Sequence, residues 1–108
     1  MDRLLNLKRD IKPLFVLAAK TLTPMDQIVR ATANTATDSY AITLGNVAEC
    51  RGQFVAIVAT IANSKAITVQ DQNESEDWTD LTLDADRDAC VLWSDGRRWW
   101  IFNNSIAS

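Results

Sequence analysis

Two residues near the end of the chain, Asp95 and Gly96, most constrain how it can fold. They separate two apolar runs within residues 91–102, and an Asp-Gly pair in that setting is a strong signal for a β-hairpin. A two-residue type I′ turn needs left-handed backbone at both central positions, which this pair tolerates. We therefore predict a closing hairpin in which Trp93 lies directly across from Arg98.

Alternation along the two predicted strands places their side chains on two faces. One face holds Cys90, Leu92, Trp99 and Ile101, and the other holds Val91, Trp93, Trp100 and Phe102. Both faces are apolar, so each requires a cover. We predict that the domain's own core covers the first face, and that a second sheet, the N-terminal arm or a neighbouring subunit covers the second. A three-residue loop with Gly96 in a bulge would shift the register by one residue and re-sort both sets.

The hairpin supplies one set of candidate contact residues. These residues, assigned to a subunit contact or to the core, are Val91, Trp93, Arg98, Trp99, Trp100 and Phe102.

The sequence upstream of the hairpin is typical of β-structure. Short segments rich in Val, Ile and Thr recur about every 8–12 residues, with turn-forming residues between them. Residues 53–61 are apolar on both faces of an extended strand, which predicts a central strand covered on both sides. The pattern predicts an all-β domain over residues 14–108, either an antiparallel β-sandwich or a jelly-roll-like small barrel.

The first residues of the chain follow a different pattern. Leu4, Leu7 and Ile11 are spaced as on one face of a helix, and Pro13 ends that pattern. We predict an N-terminal arm over residues 1–13 with a short helix that is marginal on its own. Its candidate contact residues are Arg3, Leu4, Leu5, Leu7, Lys8, Arg9 and Ile11. The pattern leaves open whether the arm packs on its own domain or on a partner.

The net charge of −3 is unevenly distributed along the chain. Residues 1–30 carry six basic and three acidic side chains, whereas residues 71–88 carry eight acidic side chains against Arg87 alone. Such asymmetry suits contact between copies of the chain or with a larger assembly. We expect no nucleic-acid partner, because nucleic-acid binders are typically basic with a concentrated patch. We expect no membrane partner either, because no apolar run approaches the ~20 residues of a membrane helix.

The absence of histidine removes several classes of active site. Ser-His and Cys-His pairs, histidine bases and histidine-bound metals are excluded. Two cysteines, Cys50 and Cys90, are too few for a zinc site, and reduced, buried thiols are favoured over a single disulfide. We therefore expect no catalytic residues, no cofactor, no metal and no enzymatic activity.

One acidic segment partly matches a calcium-binding loop. Asp84, Asp86, Asp88 and Asp95 occupy positions 1, 3, 5 and 12 of the EF-hand pattern. Ala89 replaces the glycine required at position 6, and the residues after it are typical of a strand. We therefore expect a solvated acidic loop here.

The order of motifs between Ala41 and Phe102 resembles a pattern common in virion proteins of tailed bacteriophages. That pattern has a strand ending in Thr-Leu, a glycine before a strand, an Ala-x-Thr-Val strand and a late Leu-x-Ser-Asp-Gly-x-x-Trp hairpin. The matching residues are Thr43, Leu44, Gly52, Ala66, Ile67, Thr68, Val69, Leu92, Ser94, Asp95, Gly96 and Trp99. The hairpin is the most specific part of the resemblance. The doubled tryptophan and doubled arginine within it depart from the looser pattern and do not decide between head and tail.

The resemblance implies a virion structural protein. Capsid decoration (cement) proteins, head fibres and tail fibres carry this pattern and are typically trimers. A chain of 108 residues, if complete, suits a decoration protein better than a much longer fibre. The implied function is binding of the outer capsid surface as a symmetric oligomer, a homotrimer, that stabilises the capsid. The implied partners are sister subunits and the major capsid protein or another virion protein, and the implied location is the virion, assembled in the bacterial cytoplasm.

Two alternatives to a decoration protein remain at this point. The first is a phage tail or fibre component. The second, from a different class, is a carbohydrate-binding β-sandwich module that uses Trp93 or Trp100 as a platform for a sugar ring.

Overall fold

A computed structural model describes residues 13–73 and 80–105. These residues form nine strands, and the predicted arm lies outside them except for Pro13. The strands are β1 (Leu14–Val16), β2 (Lys20–Thr21), β3 (Ile28–Ala33), β4 (Tyr40–Leu44), β5 (Phe54–Ile61), β6 (Ile67–Asp71), β7 (Leu81–Leu83), β8 (Ala89–Ser94) and β9 (Trp99–Ser105).

The chain builds two sheets at once by crossing between them. The five-stranded sheet has the order β1-β3-β5-β8-β9, and the four-stranded sheet has the order β2-β4-β6-β7. From β1 to β6 each successive strand joins the opposite sheet, so every pair of parallel neighbours is connected through a strand of the other sheet. Parallel pairing requires a long crossover connection, and here the opposite sheet provides it.

The prediction of an all-β sandwich is confirmed, but the predicted antiparallel direction of all strands is wrong. Both sheets are mixed instead of antiparallel. The pairs β5–β8, β8–β9 and β6–β7 are antiparallel, whereas the pairs β1–β3, β3–β5, β2–β4 and β4–β6 are parallel. The two sheets formed by the described residues do not close into a barrel. Alternation in a sequence identifies a strand and its buried face, but it carries no information about which strand lies beside it or in which direction.

The core lies between the two sheets. The inward side chains of the five-stranded sheet include Val29, Ile57, Leu92 and Trp99, and those of the four-stranded sheet include Ile42, Leu44, Ile67, Val69 and Leu83. All of them are essentially inaccessible to solvent. This is the alternating pattern of a sheet that packs one face on a core.

Trp99 is the largest fully buried side chain of the described residues. It belongs to β9, and its indole Nε1 donates a hydrogen bond to the carbonyl oxygen of Gly45, directly after β4, at 3.2 Å. The backbone of Gly45 is packed so closely that a Cβ atom there would lie 2.9 Å from the Sγ atom of Cys50. A bulky ring and a residue without a side chain therefore join the two sheets at this point.

A second polar contact joins the sheets at the other end of β4. The hydroxyl oxygen of Tyr40 lies 2.7 Å from the carbonyl oxygen of Thr32 in β3 and 3.0 Å from that of Val16 in β1. Because Tyr40 begins β4 and Gly45 follows it, this short strand is fixed to the opposite sheet at both ends.

Cys50 and Cys90 are free and buried. Burial raises the pKa of the Cys90 thiol to about 12. Burial also raises the pKa of Cys50, with smaller contributions from the nearby charges of Glu49 and Asp26. Both thiols are therefore protonated, weak nucleophiles at neutral pH.

The described residues contain no helix that is long and apolar enough to cross a membrane.

We predict that Trp99→Ala lowers the free energy of unfolding by about 3–5 kcal/mol, because it leaves a cavity between the sheets and removes the hydrogen bond to Gly45. The matched control is Trp100→Ala, which removes the neighbouring indole from the outer face and is expected to cost about 1 kcal/mol. Urea unfolding at two protein concentrations measures both effects and separates them from any association. Equal losses in the two variants would contradict this assignment of the core.

A second prediction concerns alkaline pH. The pKa of the Cys90 thiol is 9.0 when the thiol is exposed and about 12 in the folded chain. Its contribution to stability is therefore complete below pH 9 and is lost as pH rises toward 12. The free energy of unfolding of the native chain should fall across that window by up to about 1.4 kcal/mol per pH unit more steeply than that of Cys90→Ala. Denaturant titrations between pH 8 and pH 11 test this; parallel profiles would refute it.

A candidate protein interface

The closing hairpin is present, but its turn is longer than predicted. Ser94 pairs with Trp99 and Trp93 pairs with Trp100, so the turn contains four residues instead of two. Asp95 explains the difference, because its Oδ1 atom accepts hydrogen bonds from the backbone N–H groups of Arg97 and Arg98, both at 2.8 Å. Gly96 is left-handed with φ of 94° and Asp95 is not, which excludes a type I′ turn.

The longer turn moves the register by two residues and leaves the predicted faces unchanged. Since side chains alternate with a period of two, a shift of two keeps each on the same face. Cys90, Leu92 and Trp99 are buried in the core, and Ile101 packs against it. Val91 and Trp93 are half-buried on the other face, where Trp100 and Phe102 are more exposed.

Arg98 is not opposite Trp93, as the two-residue turn predicted. It lies in the turn, and its guanidinium carbon is 5.2 Å from the ring centroid of Trp100. The same indole donates through Nε1 to the Oδ2 atom of Asp95 at 2.9 Å. That hydrogen bond, with the two backbone donors to the same carboxylate, lowers the pKa of Asp95. Trp100 is therefore held in place by a cation on its ring and an anion at its edge.

A bulge alters the hairpin beyond Trp100. Leu92 pairs with Ile101, but Val91 pairs with Asn103, so Phe102 is the extra residue on β9. The ring of Phe102 meets that of Phe54 edge to face, with centroids 4.9 Å apart. The bulge thus directs Phe102 toward β5, two strands away.

The prediction that the strand over residues 53–61 is covered on both sides is wrong. Strand β5 is central, but it is covered on one side only, because Phe54 is 44% exposed and Val58 is 40% exposed. Phe54 also contacts Trp93, with ring centroids 6.4 Å apart. Sequence reasoning missed it because an apolar strand predicts burial on both faces, and only the packing of the two sheets shows which face lacks a cover.

Four rings therefore form one cluster, with Trp93 half-buried and the other three exposed, which we call the aromatic patch: Phe54, Trp93, Trp100 and Phe102. Its first three members lie side by side on β5, β8 and β9 in a single cross-strand row. Cross-strand aromatic pairs stabilise such a row. Phe102 extends it at the sheet edge and is 66% exposed.

The outer face of the five-stranded sheet remains apolar beyond the patch. Phe15, Ile28 and Val58 are exposed on β1, β3 and β5. The guanidinium of Arg30 lies 5.6 Å from the ring centroid of Phe15, its cross-strand neighbour. Among the described residues, no element packs on this face. Exposed apolar surface that crosses a whole sheet is typical of a protein contact site.

Two aspartates of the acidic segment accept hydrogen bonds from backbone N–H groups, within their own turn and at the end of β5. The carboxylate of Asp88 is buried and accepts hydrogen bonds from the N–H groups of Asp84 and Ala85, each at 3.1 Å. Asp86 accepts one from the N–H of Ile61 at 3.1 Å. Within residues 13–73 and 80–105, no three acidic, cysteine or histidine side chains are placed to hold a metal ion.

The candidate arm contacts lie outside the described residues: Arg3, Leu4, Leu5, Leu7, Lys8, Arg9 and Ile11. Their role as contacts stays a prediction.

Comparisons with known proteins add no constraint to this geometry. No protein-family model, no curated protein and no solved structure matches the chain. The outer face of the five-stranded sheet and the sequence motifs are therefore the features of this chain that bear on its function.

Proposed function

We propose that this chain is a non-enzymatic virion structural protein, a capsid decoration protein that associates with sister subunits and binds the outer surface of a phage capsid. The aromatic patch carries this proposal, since it exposes large rings beside a well-packed core. The resemblance of residues 41–102 to phage virion proteins supplies the biological setting.

The exposed rings favour association for a simple energetic reason. Full burial of one large apolar side chain stabilises a complex by about 1.5–3 kcal/mol, and aromatic residues are enriched at the centres of protein interfaces. Phe54, Trp100 and Phe102 remain 39–66% exposed in the single chain. Their contacts with each other and with Arg98 hold them in defined positions, so binding costs little side-chain entropy.

In the proposed mechanism the protein acts by cementing. A trimer places three copies of each contact surface toward the capsid, so weak individual contacts combine into high avidity. The arm residues Leu4, Leu7 and Ile11 would extend the contact onto the capsid protein, and the basic side chains of the arm would meet acidic surfaces there.

A sugar-binding module is the second candidate, because Trp93 and Trp100 are adjacent and partly exposed on one face. Several contacts make the patch a poor sugar platform. Arg98 occupies the ring of Trp100, and the rings of Phe54 and Phe102 meet at 86° instead of forming a flat surface. Tryptophan fluorescence titrated with a glycan panel separates the candidates: a saturable shift with one glycan would favour the sugar-binding module.

We expect light scattering to give a mass near three times 12.0 kDa at micromolar concentration. Trp100→Ser and Phe102→Ser should each shift the chain toward the monomer, because they remove apolar contact area from the patch. Met25→Ser is the matched control, since Met25 is an equally apolar residue, 86% exposed and outside the patch.

The decoration role is tested with capsids of a tailed phage from which decoration proteins have been removed. The native chain should sediment with them, and Phe102→Ser should sediment less. A native chain that is monomeric at micromolar concentration and does not sediment with capsids would overturn the proposal.

A further inference from the structure

A cleft of about 250 Å³ lies beside the aromatic patch, between the hairpin turn and the loop after β4. Its lining residues are Ala48, Arg51, Asp95, Gly96 and Arg97. We infer that this cleft binds a single carboxylate group, supplied by a glutamate or aspartate side chain of a neighbouring protein in the assembly. The inference depends on the proposed function for the source of the carboxylate, and on the cleft alone for its chemistry.

Both walls of the cleft are fixed by hydrogen bonds through Ser94. Its buried hydroxyl donates to the carbonyl oxygen of Val47 at 2.7 Å and accepts from the N–H of Gly96 at 3.1 Å. Its carbonyl oxygen accepts from the N–H of Gly52 at 2.7 Å. The two loops are therefore held together before any ligand arrives, which lowers the cost of binding.

Arg51 is seated directly against the turn. A Cβ atom at Gly96 would lie 2.9 Å from Cδ of Arg51 and 3.0 Å from its Cγ, so a larger residue there would displace the Arg51 side chain from this position. The aliphatic part of Arg51 thus packs on the turn that carries Arg97. Within the described part of the chain, neither guanidinium has an ion pair or a hydrogen bond to an acidic side chain.

The charge of the cleft matches a monoanion. Arg51 and Arg97 contribute two positive charges, and Asp95 contributes one negative charge. The lowered pKa of Asp95 keeps this carboxylate ionised at neutral pH, while its oxygens accept hydrogen bonds from the turn and from Trp100. The resulting charge of +1 suits one carboxylate better than a phosphate dianion, and planar guanidinium groups bind carboxylates through paired hydrogen bonds.

The position of the cleft favours a protein source for the carboxylate. Arg97 lies in the turn between β8 and β9, and these strands carry Trp93 and Trp100 of the aromatic patch. A protein seated on the patch would therefore place acidic side chains at its margin within reach of the cleft. Apolar centres with charged margins are the usual composition of such interfaces.

The test is a titration of the folded Phe102→Ser variant with a small carboxylate probe. Two-dimensional ¹H–¹⁵N NMR spectra monitor the titration. The probe is N-acetylglutamate amide, and the matched neutral probe is N-acetylglutamine amide. We expect saturable shifts of the Ala48, Gly96 and Arg97 amide signals with the first probe only.

Arg51→Gln and Arg97→Gln should each weaken binding about tenfold, the expected loss for one charge-assisted contact. Arg30→Gln, which alters an arginine on the outer face that does not line the cleft, should leave binding unchanged.

Three results would overturn the inference: no saturable shift, equal binding of the neutral probe, or tighter binding of inorganic phosphate than of the glutamate probe. Signal dispersion in the same spectra shows that each variant is folded. Failure here leaves the oligomer and capsid experiments unaffected. Conversely, a chain that binds the glutamate probe but neither associates nor sediments with capsids would support the carboxylate site in the cleft and refute the decoration role.

Discussion

The burial of Trp99 between the sheets is the interaction on which the rest of the structure depends. Its ring fills the space at the end of β4, and its N–H group is satisfied by Gly45, a position where a side chain would collide with Cys50. This contact determines where the loop after β4 lies against the hairpin. The cleft and the aromatic patch are both placed by it, because Trp99 and Trp100 are consecutive residues that point to opposite faces.

The hairpin shows how far local sequence determines structure here. Alternation correctly placed Trp99 and Trp100 on opposite faces of the hairpin. The predicted register was wrong by two residues, and a shift of two leaves every side chain on the same face. The turn length was not predictable from the Asp-Gly pair, because the hydrogen bonds of the Asp95 side chain to two backbone donors favour a longer turn. The partnership of Phe54 with Phe102 depended on a bulge and on sheet order, which a single strand does not encode.

Apolar residues of the same types line both the core and the exposed outer face of the five-stranded sheet. Inward-facing Ile57 and outward-facing Val58 are neighbours in one strand, yet one is fully buried and the other 40% exposed. A strand that is apolar on both faces is therefore covered on only one of them within the described residues. Composition alone does not show which face is covered, whereas the packing of the two sheets does.

The crossing of the chain between the two sheets has a consequence for folding kinetics. Between β1 and β6 no strand pairs with its neighbour in sequence, so neither sheet can be completed before the other. We expect local pairings such as the β8–β9 hairpin to form first, and the parallel pairings to form later, because they require long loops to close. Slow folding and highly cooperative unfolding are expected from this connectivity.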